Sequence, residues 1–224
     1  MMTSGYFITG TDTDVGKTCA TIALMRYFKR QGKTVLGMKP VASGCTVQAG
    51  ELKNADALLI QEHASIAVDY QWINPYAYEL PVSPHIAGVD NPVKLATIVE
   101  RFKRLKALAE VVIVEGAGGW YAPLNAQNDI SDLAKALALP VILVVGLRLG
   151  CINHAKLSYQ AIQLSGIACV GWIAVCVDPD LLNRDENIQT IKAALSVPLL
   201  GLLPYQEPLD FELLADQLTT VLGA

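Results

Sequence analysis

The sequence predicts an α/β fold: a doubly wound, mostly parallel sheet with helices on both faces. Short apolar runs such as VVIV at 111–114 and VILVV at 141–145 are unbroken rather than alternating, which suits strands buried on both sides. Segments of helical pattern separate these runs from end to end, and strand–helix repetition implies parallel strands joined by crossovers. Polar and glycine-rich turns follow the runs, at the carboxyl strand ends where open α/β sheets bind ligands.

Taken in order, residues 6–9 read as the first strand and 17–29 as the helix after it; 34–38 is a second strand, and 54–60 is helical. Between Ser43 and Asn91 the pattern is less regular, and prolines 75, 81 and 84 exclude a central strand there. Long irregular segments in a compact domain are often functional. Asn91-Pro92 predicts a helix start, with Asn as N-cap and Pro in the first turn, running to about Glu110. Strands follow over 111–114, 141–145, 170–177 and 199–203. No linker, repeat or low-complexity stretch interrupts the pattern, so one domain over 1–224 is expected.

Composition narrows the function classes. Of 224 residues, 52% are apolar and 17% charged, as in a folded globular chain. The net charge of −4, with no long basic run, argues against nucleic acid as a partner. Five scattered cysteines without C-x-x-C spacing read as reduced thiols. The N-terminus lacks a signal-peptide pattern, and the apolar stretch at 140–146 is too short to span a bilayer, so a cytoplasmic protein without membrane contact is expected.

The first strand leads into GTDTDVGKT, residues 10–18. It resembles a phosphate-binding loop, yet five residues separate its glycines instead of four, and two of them are the carboxylates Asp12 and Asp14. Gly16, Lys17 and Thr18 between strand and helix still suit a polyphosphate. Backbone N–H groups and the helix N-terminus would take its oxygens, Lys17 would bridge them, and the Thr18 hydroxyl suits Mg²⁺. Glu115, closing the 111–114 run, matches the acid that completes such a site. Lys39, at the end of the second strand, is placed to stabilise charge on a transferred phosphoryl group. Asp56 is one of several acids in its stretch.

GTDTDVGKT, the KPVASG run from Lys39 to Gly44, Asn74-Pro75-Tyr76, Ser83-Pro84-His85, VEGAGGW ending at Trp120, LPVILVVG ending at Gly146 and GCINHA from Gly150 together resemble the dethiobiotin synthetase family. The resemblance runs from Tyr6 to Pro204. It implies a P-loop NTPase-like fold and a homodimer that uses ATP (or another nucleoside triphosphate) and Mg²⁺. The implied substrates are 7,8-diaminopelargonic acid and CO₂: a carbamate forms, is phosphorylated, and is closed into a ureido ring. Lys17 and Lys39 would then act on phosphoryl and carbamate charge, and Thr18, Asp56 and Glu115 would hold Mg²⁺. Asp14, Val15, Gly16, Cys19, Gly116, Ala117 and Gly118 would line the site, with Pro204, Tyr205 and Gln206 near the base. Ser43 would touch the substrate, as would Gly150, Cys151, Ile152 and Asn153 from the partner subunit, where a helix start suits a carboxylate. Asp12 and Asp14 are read as partners for the diamine.

Two departures from the family pattern stand out. Val175 and Cys176 occupy positions where an asparagine and an aspartate often read the base, and apolar side chains cannot supply those hydrogen bonds. Asn187 stands nearest to a tyrosine that often helps hold the substrate tail. A rival class, the switch-type ATPases that act by binding partners, carries a lysine five residues before the loop lysine; here that position is Asp12, and the tail 210–224 is acidic. Of the histidines, His63 is expected to be solvated and His85 to bond within its loop; Trp120 and Trp172 are expected to pack.

Overall fold

A computed structural model describes residues 4–219, so the first three residues and the end of the acidic tail lie outside the described residues. In chain order the elements are β1 (Ser4–Gly10), α1 (Lys17–Arg30), β2 (Val35–Met38), β3 (Val41–Ala42), β4 (Thr46–Gln48), β5 (Glu51–Lys53), α2 (Ala55–Glu62), α3 (Tyr70–Ile73), β6 (Tyr76–Ala77), α4 (Pro84–Ala87) and α5 (Leu95–Leu108). Then come β7 (Val111–Gly119), α6 (Ile130–Leu137), β8 (Val141–Leu147), α7 (Cys151–Leu164), β9 (Cys169–Cys176), α8 (Arg184–Ala194), β10 (Leu199–Leu203) and α9 (Phe211–Asp216).

Six strands form a sheet in the order β10-β9-β8-β1-β7-β2, and every pairing in it is parallel. From β1 the chain crosses to the edge strand β2, returns as β7 beside β1, and then winds outward on the other side through β8, β9 and β10, so the carboxyl ends of β1 and its neighbours face one crevice. The two-residue period of a strand divides the core. Phe7, Val112 and Val114 pack with α5, α6, α7 and α8 on one face, through residues such as Phe102, Leu133, Tyr159 and Ile188. Tyr6, Ile8, Val111 and Ile113 pack with α1, α2 and α9 on the other, through Ile22, Met25, Ile60 and Leu214. This is why the runs are unbroken in sequence: both alternating faces are covered. Trp172 lies in the first layer, fully buried, and Trp120 is nearly so, as expected of packing residues.

The proline-rich stretch stays out of the sheet, since β6 pairs only with β3, in a separate two-stranded ribbon. β7 runs on through Glu115 to Gly119, further than its apolar residues indicate, because Ile8 pairs with Glu115 and Gly10 with Gly119 across a register shift. The helix expected from Asn91-Pro92 begins instead at Leu95. Tertiary partners hold the intervening backbone extended: the Tyr78 hydroxyl donates to the Asn91 carbonyl, the Asn125 amide to that of Val93, and Lys94 N–H donates to the Tyr76 hydroxyl, at 2.7–2.9 Å.

His63 departs from the expectation of a solvated ring. It caps the C-terminal end of α2 and is only 7% exposed, wedged between α1 and α9. Phe211 meets its ring edge-on at 5.0 Å, Arg26 Nη2 lies 3.4 Å from Nε2, and Lys29 donates to its carbonyl. An arginine can only donate, so Nε2 accepts and the ring is neutral. Burial first, then the Arg26 charge, holds His63 below its ordinary 6.5, with Glu62 opposing and Lys29 reinforcing. Below pH 6.5 the unfolded chain therefore binds a proton that the folded chain refuses, and stability falls as pH drops from 6.5 through the folded value. The melting temperature should fall more steeply with acid in the native protein than in His63→Gln; parallel curves would disprove the neutral, buried ring.

Candidate active site

The turn after β1 fixes the shape of the loop at 10–18. Gly16, at φ 83° and just before α1, adopts the left-handed region that a side chain resists, and a Cβ there would lie 2.6 Å from Val175 Cγ1. Val15 is buried rather than facing a ligand; it fills the space that a Cβ on Gly10 or Gly146 would need. α1 starts at Lys17 with no side-chain cap, so its first N–H groups are left for a ligand. The Lys17 ammonium is buried and donates to the Asp12 carbonyl at 2.6 Å. Burial lowers its pKa, against the pull of Glu115.

Glu115 is wholly buried. Its Oε1 accepts from the Thr18 hydroxyl at 3.0 Å and from Lys39 Nζ at 2.8 Å, and the same ammonium pairs with Asp56 on α2. Burial alone would lower the Lys39 pKa; the Glu115 and Asp56 carboxylates outweigh it and hold the ammonium up at about 12. Lys39 is thus a permanent cation at any ordinary pH. The Cys19 thiol, pushed up to about 11 by burial and by the same two carboxylates, stays protonated.

A buried polar chain, which the sequence does not announce, sets this group in place. Asn74 donates to the Lys39 carbonyl at 2.7 Å; the Tyr70 hydroxyl donates to Asn74, and the Asn54 N–H to that hydroxyl. Asn54 is also the N-cap of α2, so one chain of hydrogen bonds registers Lys39 against the helix that carries Asp56.

The crevice at these strand ends is a cavity of about 860 Å³. Asp14, Gly16, Lys17, Thr18, Cys19, Lys39, Ser43, Asp56, Glu115, Ala117 and Gly118 line it at the loop end. Val175, Cys176, Pro204, Tyr205 and Gln206 line it as well, with Val175 against Gly16. Two cavity atoms are left for ligands that the chain does not supply: Glu115 Oε2 and Ser43 Oγ are buried without a hydrogen-bond partner. Two carboxylates and a hydroxyl, with a spare carboxylate oxygen, suit Mg²⁺, which keeps water and phosphate oxygens as its other ligands. Among the described residues no group of three or more His, Cys, Asp or Glu forms a metal cluster, as a closed protein cage for a transition metal would require.

A family model described as an AAA domain matches residues 4–212. The ATP-dependent dethiobiotin synthetase BioD of Xanthomonas campestris pv. campestris is 44% identical over 97% of this chain and 98% of its own length. Its counterpart from Xanthomonas oryzae pv. oryzae is 46% identical over 92% of this chain and 93% of its own. The chain belongs to the dethiobiotin synthetase family. The MinD cell division protein of Aquifex aeolicus shares the P-loop NTPase fold, with a TM-score of 0.58 at 17% identity over 96% of this chain and 88% of that one. At that identity the likeness shows the fold alone.

Not every residue expected from the family pattern reaches the cavity. Asp12 does not line it: its Oδ2 is taken by Arg148 at 2.5 Å and its Oδ1 by Thr13 N–H at 2.8 Å. Gly116 lies under the cavity against Phe7 and Ile130. Gly150, Ile152 and Asn153 line a second concavity of about 570 Å³ with Lys156 and Asn187, while Cys151 is buried with its thiol 3.7 Å from Asn187 Oδ1. Gly150, at φ 95°, makes the turn into α7. His85 is exposed, with its Nδ1 2.9 Å from the Ser83 hydroxyl. Val41, Ala42, Pro81, Val82 and Pro84 add apolar lining to the cavity, and the prolines at 81–84 are its signal in the sequence. Among the described residues no helix is long and apolar enough to cross a membrane.

Proposed function

We propose that this family member makes dethiobiotin from 7,8-diaminopelargonic acid, CO₂ and ATP, releasing ADP and phosphate. The observation that carries the reading is the convergence of Lys17 and Thr18 from the start of α1, Lys39 just after β2, Asp56 from α2 and Glu115 from within β7 on a cavity that also holds the unpartnered Ser43 hydroxyl. Lys17 and the first N–H groups of α1 bind the phosphates. Thr18, Asp56 and Glu115 would hold Mg²⁺, which when bound would neutralise phosphate charge. Lys39, cationic throughout, stabilises charge where the carbamate oxygen meets the γ-phosphorus. The second amine then attacks the carbamic–phosphoric anhydride carbon, a C–N bond forms and phosphate leaves. Ser43 orients the carbamate end, and the 81–84 wall suits the substrate's methylene chain. The second concavity at Gly150–Asn153 lies apart from the cavity within one chain, which supports a homodimer in which a partner supplies that helix start. We place this chemistry in the cytoplasm.

Phosphate release from ATP tests the reading: it should rise with diaminopelargonate and bicarbonate together, and no increase with both present would sink it. The same assay with CTP and GTP tests the base end. With Val175 and Cys176 there, and no side-chain amide or carboxylate at those positions, all three triphosphates should be used within about tenfold, the worth of one good hydrogen bond; strict preference for ATP would contradict this.

A further inference from the structure

We infer that Arg148 is a positioning residue of the phosphate loop, where it cancels the charge of Asp12 and fixes its orientation. The inference rests on reading the loop at 10–18 as the phosphate site. A carboxylate at this place is a liability, because a triphosphate is itself strongly anionic. The structure shows what is done with it. Arg148 reaches the loop from 136 residues away and binds Asp12 Oδ2 at 2.5 Å. The other oxygen, Oδ1, accepts the Thr13 N–H at 2.8 Å, and the Asp12 carbonyl accepts Lys17 Nζ at 2.6 Å. One residue thus organises the loop backbone, the loop lysine and an arginine.

Both ends of the pair are anchored. The Thr11 N–H donates to Val144 of β8 at 3.0 Å, and Arg148 follows directly on the end of that strand. The Arg148 carbonyl in turn accepts the Cys151 N–H at 3.0 Å, which holds it at the start of α7. The side chains are 38% and 49% exposed, so the pair is solvent-screened and its effect moderate. Removing Arg148 leaves the Asp12 charge uncompensated within the loop that carries Lys17 and frees its carboxylate to turn. Removing both charges together leaves nothing to compensate.

The test uses the intact protein and Mg²⁺ with ADP, measured by calorimetry, alongside kcat and KM for ATP. Arg148→Ala should weaken ADP binding and raise KM for ATP by about fivefold, the upper range for a half-exposed ion pair, with kcat at saturating ATP within about twofold. Arg148→Lys should keep most of the affinity. Arg148→Ala combined with Asp12→Asn should return it to within about twofold of the native value, which a merely structural loss would not do. Should Arg148→Ala not fold, Arg148→Gln carries the same comparison. Unchanged ADP affinity in the single variant, or a double variant as weak as the single, overturns the inference. Native protein that fails to bind ADP removes the nucleotide reading and the inference together; native binding with an indifferent Arg148 removes the inference alone.

Discussion

Lys39→Gln is expected to lower turnover by about 10²–10³-fold while the affinity for ADP changes by less than about threefold. The lysine is 7% exposed, sits between Glu115 and Asp56, and is held charged by them. A preorganised cation of this kind contributes most where negative charge develops, and, held between two carboxylates, it reorganises little during reaction. On the proposed reading Lys17 and the α1 N-terminus would take the ground-state phosphates, so nucleotide binding should survive. Glutamine keeps a donor near Glu115 Oε1 but removes the charge. Equal loss of turnover and nucleotide affinity would show that Lys39 binds the ground state instead, and a fall in kcat alone would support its action on the transition state.

Glu115→Gln should be nearly as damaging, in a different way. The native carboxylate, fully buried, accepts from both Thr18 and Lys39 and leaves Oε2 unpartnered. The amide keeps the shape and one acceptor but removes the charge, so the buried Lys39 retains only Asp56, whose side chain is 44% exposed. Breaking one partner of a buried pair costs roughly 3–5 kcal/mol, and the amide's remaining hydrogen bond places this variant near the lower figure. Turnover should fall about 10²-fold and the Mg²⁺ needed for half-maximal rate should rise severalfold. The alkaline limb of the pH–rate profile should also move to lower pH, because a carboxylate that holds the Lys39 ammonium up is gone. An unchanged Mg²⁺ requirement would remove Glu115 from the metal site.

What could be read from residues alone follows the range of the interactions involved. The β1–loop–α1 unit and the later strands are written in local apolar runs and in GKT, and they appear where expected, with ends shifted by a residue or two except in β7, which runs five residues further. The start of α5 was misplaced because Asn91 and Pro92 have good helix-start chemistry, and what overrides it is a tertiary set of donors and acceptors from Tyr76, Tyr78 and Asn125. β7 runs past its apolar residues because glycines 116, 118 and 119 carry no strand signal, yet pairing with β1 extends it. Asp56 was distinguishable from neighbouring acids only through the family resemblance; the structure brings it to Lys39. Asp12 shows the limit most clearly. Its sequence context suggested a cationic ligand, whereas its cation in the structure is an arginine far along the chain, which no local pattern encodes. His63 was misjudged for the same reason, since Arg26 and Phe211 come to it from other helices.

The contact between Gly16 and Val175 constrains how this protein could change over evolutionary time. If, as proposed, the loop at 10–18 holds phosphate and Val175 lies near the base, the two share a wall there, with no room for even a methyl group between them. A mutation at 175 that alters which base is preferred would also press on, or slacken, the backbone that grips phosphate. Nucleotide preference and nucleotide affinity would therefore drift together. A lineage moving from one triphosphate to another would need compensating changes in the loop, and laboratory selection for a new base preference at 175 should return second-site mutations among residues 10–18.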